Sequence, residues 1–193
     1  MKVIAVNGSP RKKGNTELLL REVLSVLERN EIDTEMIQIG GKEVKACTAC
    51  MKCKEKKDGK CYEDNKLLNK VISKISAADG ILIGSPVYFS DITPETKALL
   101  DVAGYTLRAA GNPLKRKVGA AVVAVRRAGA IHTFDSINHF FMINEMIVPG
   151  SSYWNIGIGK EKGDVLNDAE GLKTMQTLGE NMAWLMKRIY QEG

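Results

Sequence analysis

Lys2-Val3-Ile4-Ala5-Val6, followed by Asn7-Gly8-Ser9-Pro10-Arg11-Lys12-Lys13-Gly14-Asn15-Thr16, is the stretch from which the rest of the chain can be read. Residues 2–6 read as a buried strand. Residues 16–29 read as a helix, with Leu20, Val23, Leu24 and Leu27 on one face. Between them, glycines allow close backbone approach, and the free N–H groups of a helix start bind anions. Ser9, Asn15 and Thr16 add neutral donors, and Arg11 adds a planar guanidinium. The stretch reads as a phosphate cradle. The plainer alternative, a strand-to-helix turn with Asn15 as N-cap, leaves Ser9, Arg11 and Gly14 without a reason.

The nucleoside triphosphate motif needs Gly, four residues, then Gly-Lys-Ser/Thr. Here five residues separate Gly8 from Gly14, and Asn15 takes the place of the lysine. The dinucleotide fingerprint is absent too: Gly157-Ile158-Gly159 with Gly163 misses it by one residue. One phosphate loop and no second nucleotide-binding half point to a mononucleotide.

Outward from this loop, short apolar runs alternate with amphipathic segments, the pattern of a parallel α/β sheet. Strands are expected at 33–39, 80–84, 118–125 and 146–148, and helices at 64–78, 133–141 and 168–190. A further helix opens at Thr93-Pro94-Glu95, with Thr as N-cap and Pro at the first helical position. Five such strands fit a flavodoxin-like, doubly wound sheet of order 2-1-3-4-5, with a crevice between strands one and three. The expectation is a single domain over 1–193, with 40–63 inserted as a cysteine-rich loop after strand two. Trp154 and Trp184 are expected to pack, and Met142 and Met146 to lie in the core.

With 193 residues, 44% hydrophobic and 26% charged, the composition excludes disordered, collagenous and low-complexity classes. No apolar run approaches the roughly 18 residues of a membrane span, and residues 1–10 do not resemble a signal peptide. The expected location is cytoplasmic, with no membrane partner. Net charge is +5, and five lysines (Lys52, Lys54, Lys56, Lys57, Lys60) fall between Met51 and Lys60 against Glu55 and Asp58. Such a basic face steers an acidic partner.

If the strand order holds, Ser85-Pro86-Val87-Tyr88-Phe89-Ser90 leaves the sheet across the same crevice. Tyr88 and Phe89 can wall a flat conjugated ring, and the backbone of 87–90 can bond its polar edge. Packing of both aromatics beneath the next helix is the alternative. Arg126-Arg127-Ala128-Gly129-Ala130 makes a third, basic turn after strand four.

These residues carry a family resemblance. Asn7-Gly8-Ser9-Pro10-Arg11 with Gly14-Asn15-Thr16 resembles the FMN-phosphate loop of the NADPH-dependent FMN reductase and iron–sulfur flavoprotein group. Gly84-Ser85-Pro86-Val87-Tyr88 resembles its flavin-ring segment. The resemblance implies FMN held by Ser9, Arg11, Gly14, Asn15 and Thr16, and by Pro86, Val87, Tyr88, Phe89 and Ser90. Arg127, Ala128 and Gly129 would border the flavin, in a loop less rich in glycine than is common in the family.

All four cysteines lie in Cys47-x2-Cys50-x2-Cys53-x7-Cys61. Without an export signal, a metal or redox site is the leading reading over structural disulfides. Two-residue gaps let thiolates converge on a compact core, and four match the ligand count of an iron–sulfur cluster. Zinc favours two separated pairs, and a zinc or free-thiol site stays open as the alternative. The run resembles the cysteine motif of the iron–sulfur flavoproteins, which implies a 4Fe-4S cluster on Cys47, Cys50, Cys53 and Cys61. Members often place five residues before the last cysteine, not seven.

Elsewhere the sequence is quiet. His132 and His139, seven apart, could share a helix face, and no Ser–His–Asp set or paired carboxylates stand out. The leading expectation is an electron-transfer flavoprotein coupling a ferredoxin-like carrier to an acceptor through FMN and a 4Fe-4S cluster. The alternative is a cluster-free FMN-dependent NAD(P)H oxidoreductase of quinone or flavin reductase type. A zinc-stabilised nucleic-acid binder would leave both flavin loops unexplained. The resemblance also implies a homo-oligomer.

Overall fold

The structure, a computed structural model, describes residues 1–191; Glu192 and Gly193, the last two of the expected 1–193 domain, lie outside the described residues. A five-stranded sheet has the order β2-β1-β3-β4-β5, from β1 (Lys2–Asn7), β2 (Asp33–Gln38), β3 (Gly80–Pro86), β4 (Val118–Val125) and β5 (Ile156–Ile158). Every pairing is parallel. The helices are α1 (Asn15–Arg29), α2 (Lys52–Lys56), α3 (Lys66–Ala77), α4 (Pro94–Ala109), α5 (Ala130–Ile143) and α6 (Ala169–Gln191).

Alternation along the strands builds two cores. Val3, Ala5 and Leu82 point to the side covered by α1 and α6. Ile4, Val6, Ile81 and Ile83 point to the side covered by α3, α4 and α5. The strands β1, β3 and β4 are buried on both faces, which is why they read as unbroken apolar runs. All the loops that leave their carboxyl ends therefore emerge at one edge of the sheet.

The sequence expectation fails at the last strand. Residues 146–148 contribute one bridge, Ile147 with Val118, at the foot of β4. Pro149 has no N–H for a ladder, and the chain swings out. It rejoins β4 where Asn155 Nδ2 donates to the Ala121 carbonyl (3.0 Å), and β5 then pairs with Val123–Val125. Met146 is buried as expected, but Met142, Trp154 and Trp184 stand more than half exposed at 65%, 54% and 61%. Trp154 instead packs at a tilt in an aromatic row with Phe134 and Tyr153, both centroid separations being 6.2 Å. No described helix is long and apolar enough to cross a membrane.

At the start of α1, Gly14 and not Asn15 holds the N-cap position. The cap is supplied from inside the helix: Glu17 accepts from the Lys13 N–H at 2.6 Å and from the Arg21 guanidinium at 2.8 Å. Lys13 lies at φ 51°, so the bond stabilises a left-handed residue in the loop. Burial opposes the charge on Glu17, but Arg21 and the Lys13 N–H outweigh it and hold the carboxyl below its ordinary value of 4.5. A carboxyl depressed by folding contributes stability above its unfolded value and loses it as pH falls through the folded one. Glu17→Gln should therefore unfold about 1–2 kcal/mol more easily at pH 7. Urea midpoints measured from pH 7 down should converge for the two proteins below about pH 4.

Candidate functional site

The loop after β1 is closed by its own backbone. The Gly8 N–H donates to the Gly84 carbonyl at 2.8 Å, and the Gly8 carbonyl accepts from Thr93 Oγ1 at 2.9 Å. Thr93 is the N-cap of α4, as expected, with Pro94 at the first helical position. The Ser9 N–H donates to Asn7 Oδ1 (3.0 Å), and Ser9 Oγ accepts from the Arg11 N–H (3.3 Å), which leaves the Ser9 hydroxyl hydrogen available. The first-turn N–H groups of α1 have no intrahelical partner. Buried beside them, Thr16 Oγ1 has no hydrogen-bond partner among the described residues. Exposed Arg11 stands at the mouth. An orphaned hydroxyl, a free helix start and a guanidinium form a donor set that fits a phosphate group.

Asn15 plays a different part from that expected. Its side chain donates to the carbonyls of Gly159 (3.1 Å) and Glu161 (2.9 Å) and accepts from the Gly163 N–H (2.8 Å). It offers the cradle only its main-chain N–H. The Gly157–Gly163 stretch that nearly matched a dinucleotide motif is thus a clamp on the cradle. At Gly159 an added Cβ would lie 2.7 Å from Asn15 Nδ2.

Across the crevice, Tyr88 and Asp91 exchange both backbone hydrogen bonds (2.7 and 3.0 Å) around a two-residue turn. Phe89 and Ser90 form that turn at φ 46° and 65°. Phe89 is fully exposed and Tyr88 is 45% exposed, so neither packs beneath α4. Left-handed non-glycine residues under a bare aromatic tip mark a surface built for contact with something else. Pro86 and Val87 lead into the turn, and the Val87 N–H donates to the Ala124 carbonyl at 3.0 Å.

The third loop rests on the second. Gly129 has φ 87°, and a Cβ there would fall 2.8 Å from the Ser90 Cα. Arg127 and Ala128 are exposed beside it. Asp91 anchors the turn to α5: its Oδ1 accepts from Ser136 Oγ (2.7 Å), and His132 lies 3.5 Å from its Oδ2. This bracket has no local signature. His132 and Ser136 sit one helical turn apart on α5, but their partner lies 45 residues from Ser136.

All four cysteines line one small pocket against Val102, Tyr105 and Thr106 of α4. The loop carrying them folds around the unforeseen helix α2, flanked by left-handed Met51 and Lys57. Two asparagines at the start of α3 hold its ends. Asn65 exchanges hydrogen bonds with the Lys45 backbone (2.7 and 3.2 Å), and Asn69 does the same with the Cys61 backbone (both 2.8 Å). No disulfide links the thiols. Burial pushes the Cys53 thiol up, and the neighbouring Cys47 and Cys50 add to it. Among the described residues no three His, Cys, Asp or Glu side chains are placed to hold a single metal ion. Four thiols on one pocket match the ligand count of an iron–sulfur centre and that of a four-cysteine zinc site. Lys52, Lys54, Lys56, Lys57 and Lys60 are all exposed around it.

This chain is 41% identical to an iron–sulfur flavoprotein of Methanocaldococcus jannaschii, over 98% of this chain and 99% of that one. It is 31% identical to an iron–sulfur flavoprotein of Methanosarcina thermophila, over 98% and 97% of the two chains. Its fold is similar to that of FerB, a flavoenzyme NAD(P)H:(acceptor) oxidoreductase of Paracoccus denitrificans, with TM-score 0.70, 14% identity and 97% of each chain covered. The family model for NADPH-dependent FMN reductase matches residues 1–161. Together with the near full-length relatives, this match places the chain: it belongs to the iron–sulfur flavoproteins, within the NADPH-dependent FMN reductase family.

Proposed function

We propose that this protein is a cytoplasmic electron-transfer flavoprotein, a single domain that carries FMN on the loops after β1, β3 and β4 and a 4Fe-4S cluster on Cys47, Cys50, Cys53 and Cys61. The observation that carries the reading is the gathering of all four cysteines on one pocket, in a loop that leaves the same sheet edge as the cradle. When bound, the flavin supplies two-electron and the cluster one-electron chemistry. Tetrahedral zinc, with bonds of about 2.3 Å, needs sulfurs about 3.8 Å apart. Zinc sites with four cysteines commonly use two separated pairs, whereas Cys47, Cys50 and Cys53 form a close triplet with Cys61 apart.

The chain's own residues divide the work. Ser9, Gly14, Thr16 and the start of α1 receive the phosphate, with Arg11 closing over it and Asn15 bracing the loop from behind. Tyr88 and Phe89 wall the ring, and the backbone of 87–90 bonds its edge. Arg127, Ala128 and Gly129 border it. The five lysines at 52, 54, 56, 57 and 60 present a positive face for an acidic carrier such as a ferredoxin. A homo-oligomer would let a cluster approach a neighbour's flavin. Neither a membrane nor a nucleic acid has a part in this reading.

The second reading, a cluster-free FMN-dependent NAD(P)H oxidoreductase, is favoured by the family to which residues 1–161 match. Anaerobic purification with iron, sulfide and flavin analysis separates the two. The proposal expects FMN near one per chain with about four irons; flavin without iron or sulfide supports the second reading.

Arg11→Ala should weaken FMN binding by about tenfold or more, because it removes a charge-assisted contact; equilibrium dialysis measures this, and unchanged affinity or extracted FAD contradicts the cradle. Cys61→Ala should lose iron and sulfide while FMN stays near stoichiometric. Changing Lys54, Lys56 and Lys57 together to Glu should slow reduction by an acidic ferredoxin in stopped-flow, and salt should slow the unaltered protein as charges are screened over about 10 Å at 0.1 M. Fast reduction by NADPH with no ferredoxin response would remove the carrier role.

A further inference from the structure

The start of α3 carries two asparagines four residues apart, Asn65 at the N-cap position and Asn69 within the helix. Residues at that spacing meet on one helix face. Each side chain closes a two-point clamp on the main chain of one earlier residue. Asn65 Nδ2 donates to the Lys45 carbonyl (2.7 Å), and its Oδ1 accepts from the Lys45 N–H (3.2 Å). Asn69 Nδ2 donates to the Cys61 carbonyl, and its Oδ1 accepts from the Cys61 N–H, both at 2.8 Å. Buried Leu68, Val71, Ile72 and Ile75 fix α3 to the core. The segment that carries all four cysteines is therefore hung at both ends from one turn of a core helix.

The two ends differ in what they control. Cys47, Cys50 and Cys53 follow one another at two-residue gaps, whereas seven residues separate Cys53 from Cys61. The longer a connection, the more it costs in entropy to bring its ends together. Along this one the chain turns through left-handed Lys57 (φ 54°) and Gly59 (φ 75°). Asp58 closes that turn on itself, accepting from the Lys60 N–H at 3.2 Å and from the Tyr62 hydroxyl at 2.7 Å. The turn shapes the connection, and Asn69 sets the point to which it returns.

We infer that Asn69 is the positioning residue for the fourth thiolate. By holding the Cys61 main chain to α3, it brings that thiol to the pocket where Cys47, Cys50 and Cys53 stand. The inference rests on the cluster reading, and it adds a determinant that lies outside the cysteine run. Leucine at 69 fills a similar volume and loses both hydrogen bonds. Aspartate keeps the acceptor for the Cys61 N–H and loses the donor to its carbonyl.

Iron, sulfide and flavin per chain, measured on anaerobically purified protein, test this. Asn69→Leu should lose iron and sulfide to the level of Cys61→Ala, with FMN as in the unaltered protein. The two changes together should lose no more than either alone, because one acts through the other. Asn69→Asp should retain an intermediate amount. Should the leucine variant fail to fold, the aspartate variant decides, and full iron in it overturns the inference. Tyr62→Phe opens the Asp58 turn without touching the clamp and should keep its iron. An equal loss there makes Asn69 one of several general stiffeners of the loop and overturns its specific role. Full iron in Asn69→Leu overturns the inference and leaves the cluster reading standing. Unaltered protein with FMN but no iron or sulfide overturns both.

Discussion

The peptide at Gly8 is held from three sides. Its N–H reaches across to the end of β3, its carbonyl is taken by Thr93 at the start of α4, and Gly40, just past β2, lies against it. A Cβ on Gly40 would come within 2.3 Å of the Gly8 oxygen, and one on Gly8 within 2.0 Å of Thr96 Oγ1. Neither contact is tolerable, so glycine is required at both positions for close approach. The consequence is geometric: the ends of β1, β2 and β3 and the start of α4 are fixed to one another within hydrogen-bond distance.

From that junction the site spreads outward along one sheet edge. Gly8 ties the first loop to the second, and Gly129 seats the third on the second. The cysteine loop departs from Gly40, crosses α4 through the α2 contact and returns under Asn65 and Asn69. Long polar loops in compact domains are usually functional. Here the loop owes its shape to two asparagine side chains and to the flank of α4. Its thiols are thereby brought to one place before any inorganic core is considered.

What could be read beforehand follows from how local each signal is. The strand, turn and helix around the proposed cradle were legible because they are contiguous in 2–29. The cysteine run was legible from spacing alone, and the order of the sheet from five alternating units. The last strand was not: three residues with Gly157 at the centre carry little pattern, while apolar 146–148 carries more and forms only one bridge. Asn15 read as a phosphate donor or, in the plainer alternative, a cap, because the partners of its side chain lie 144 to 148 residues away. The Asp91 bracket depends on a turn meeting α5 across 45 residues, which periodicity does not reveal.

The most direct test is the FMN occupancy of Gly8→Ala set beside that of the double variant Gly8→Ala with Thr96→Ala. The first places a methyl group 2.0 Å from a hydroxyl at the junction on which every loop depends. The second removes that hydroxyl. The account predicts that the single variant is purified with most of its flavin missing, and that the double variant regains a substantial share. Full flavin occupancy in Gly8→Ala would contradict it.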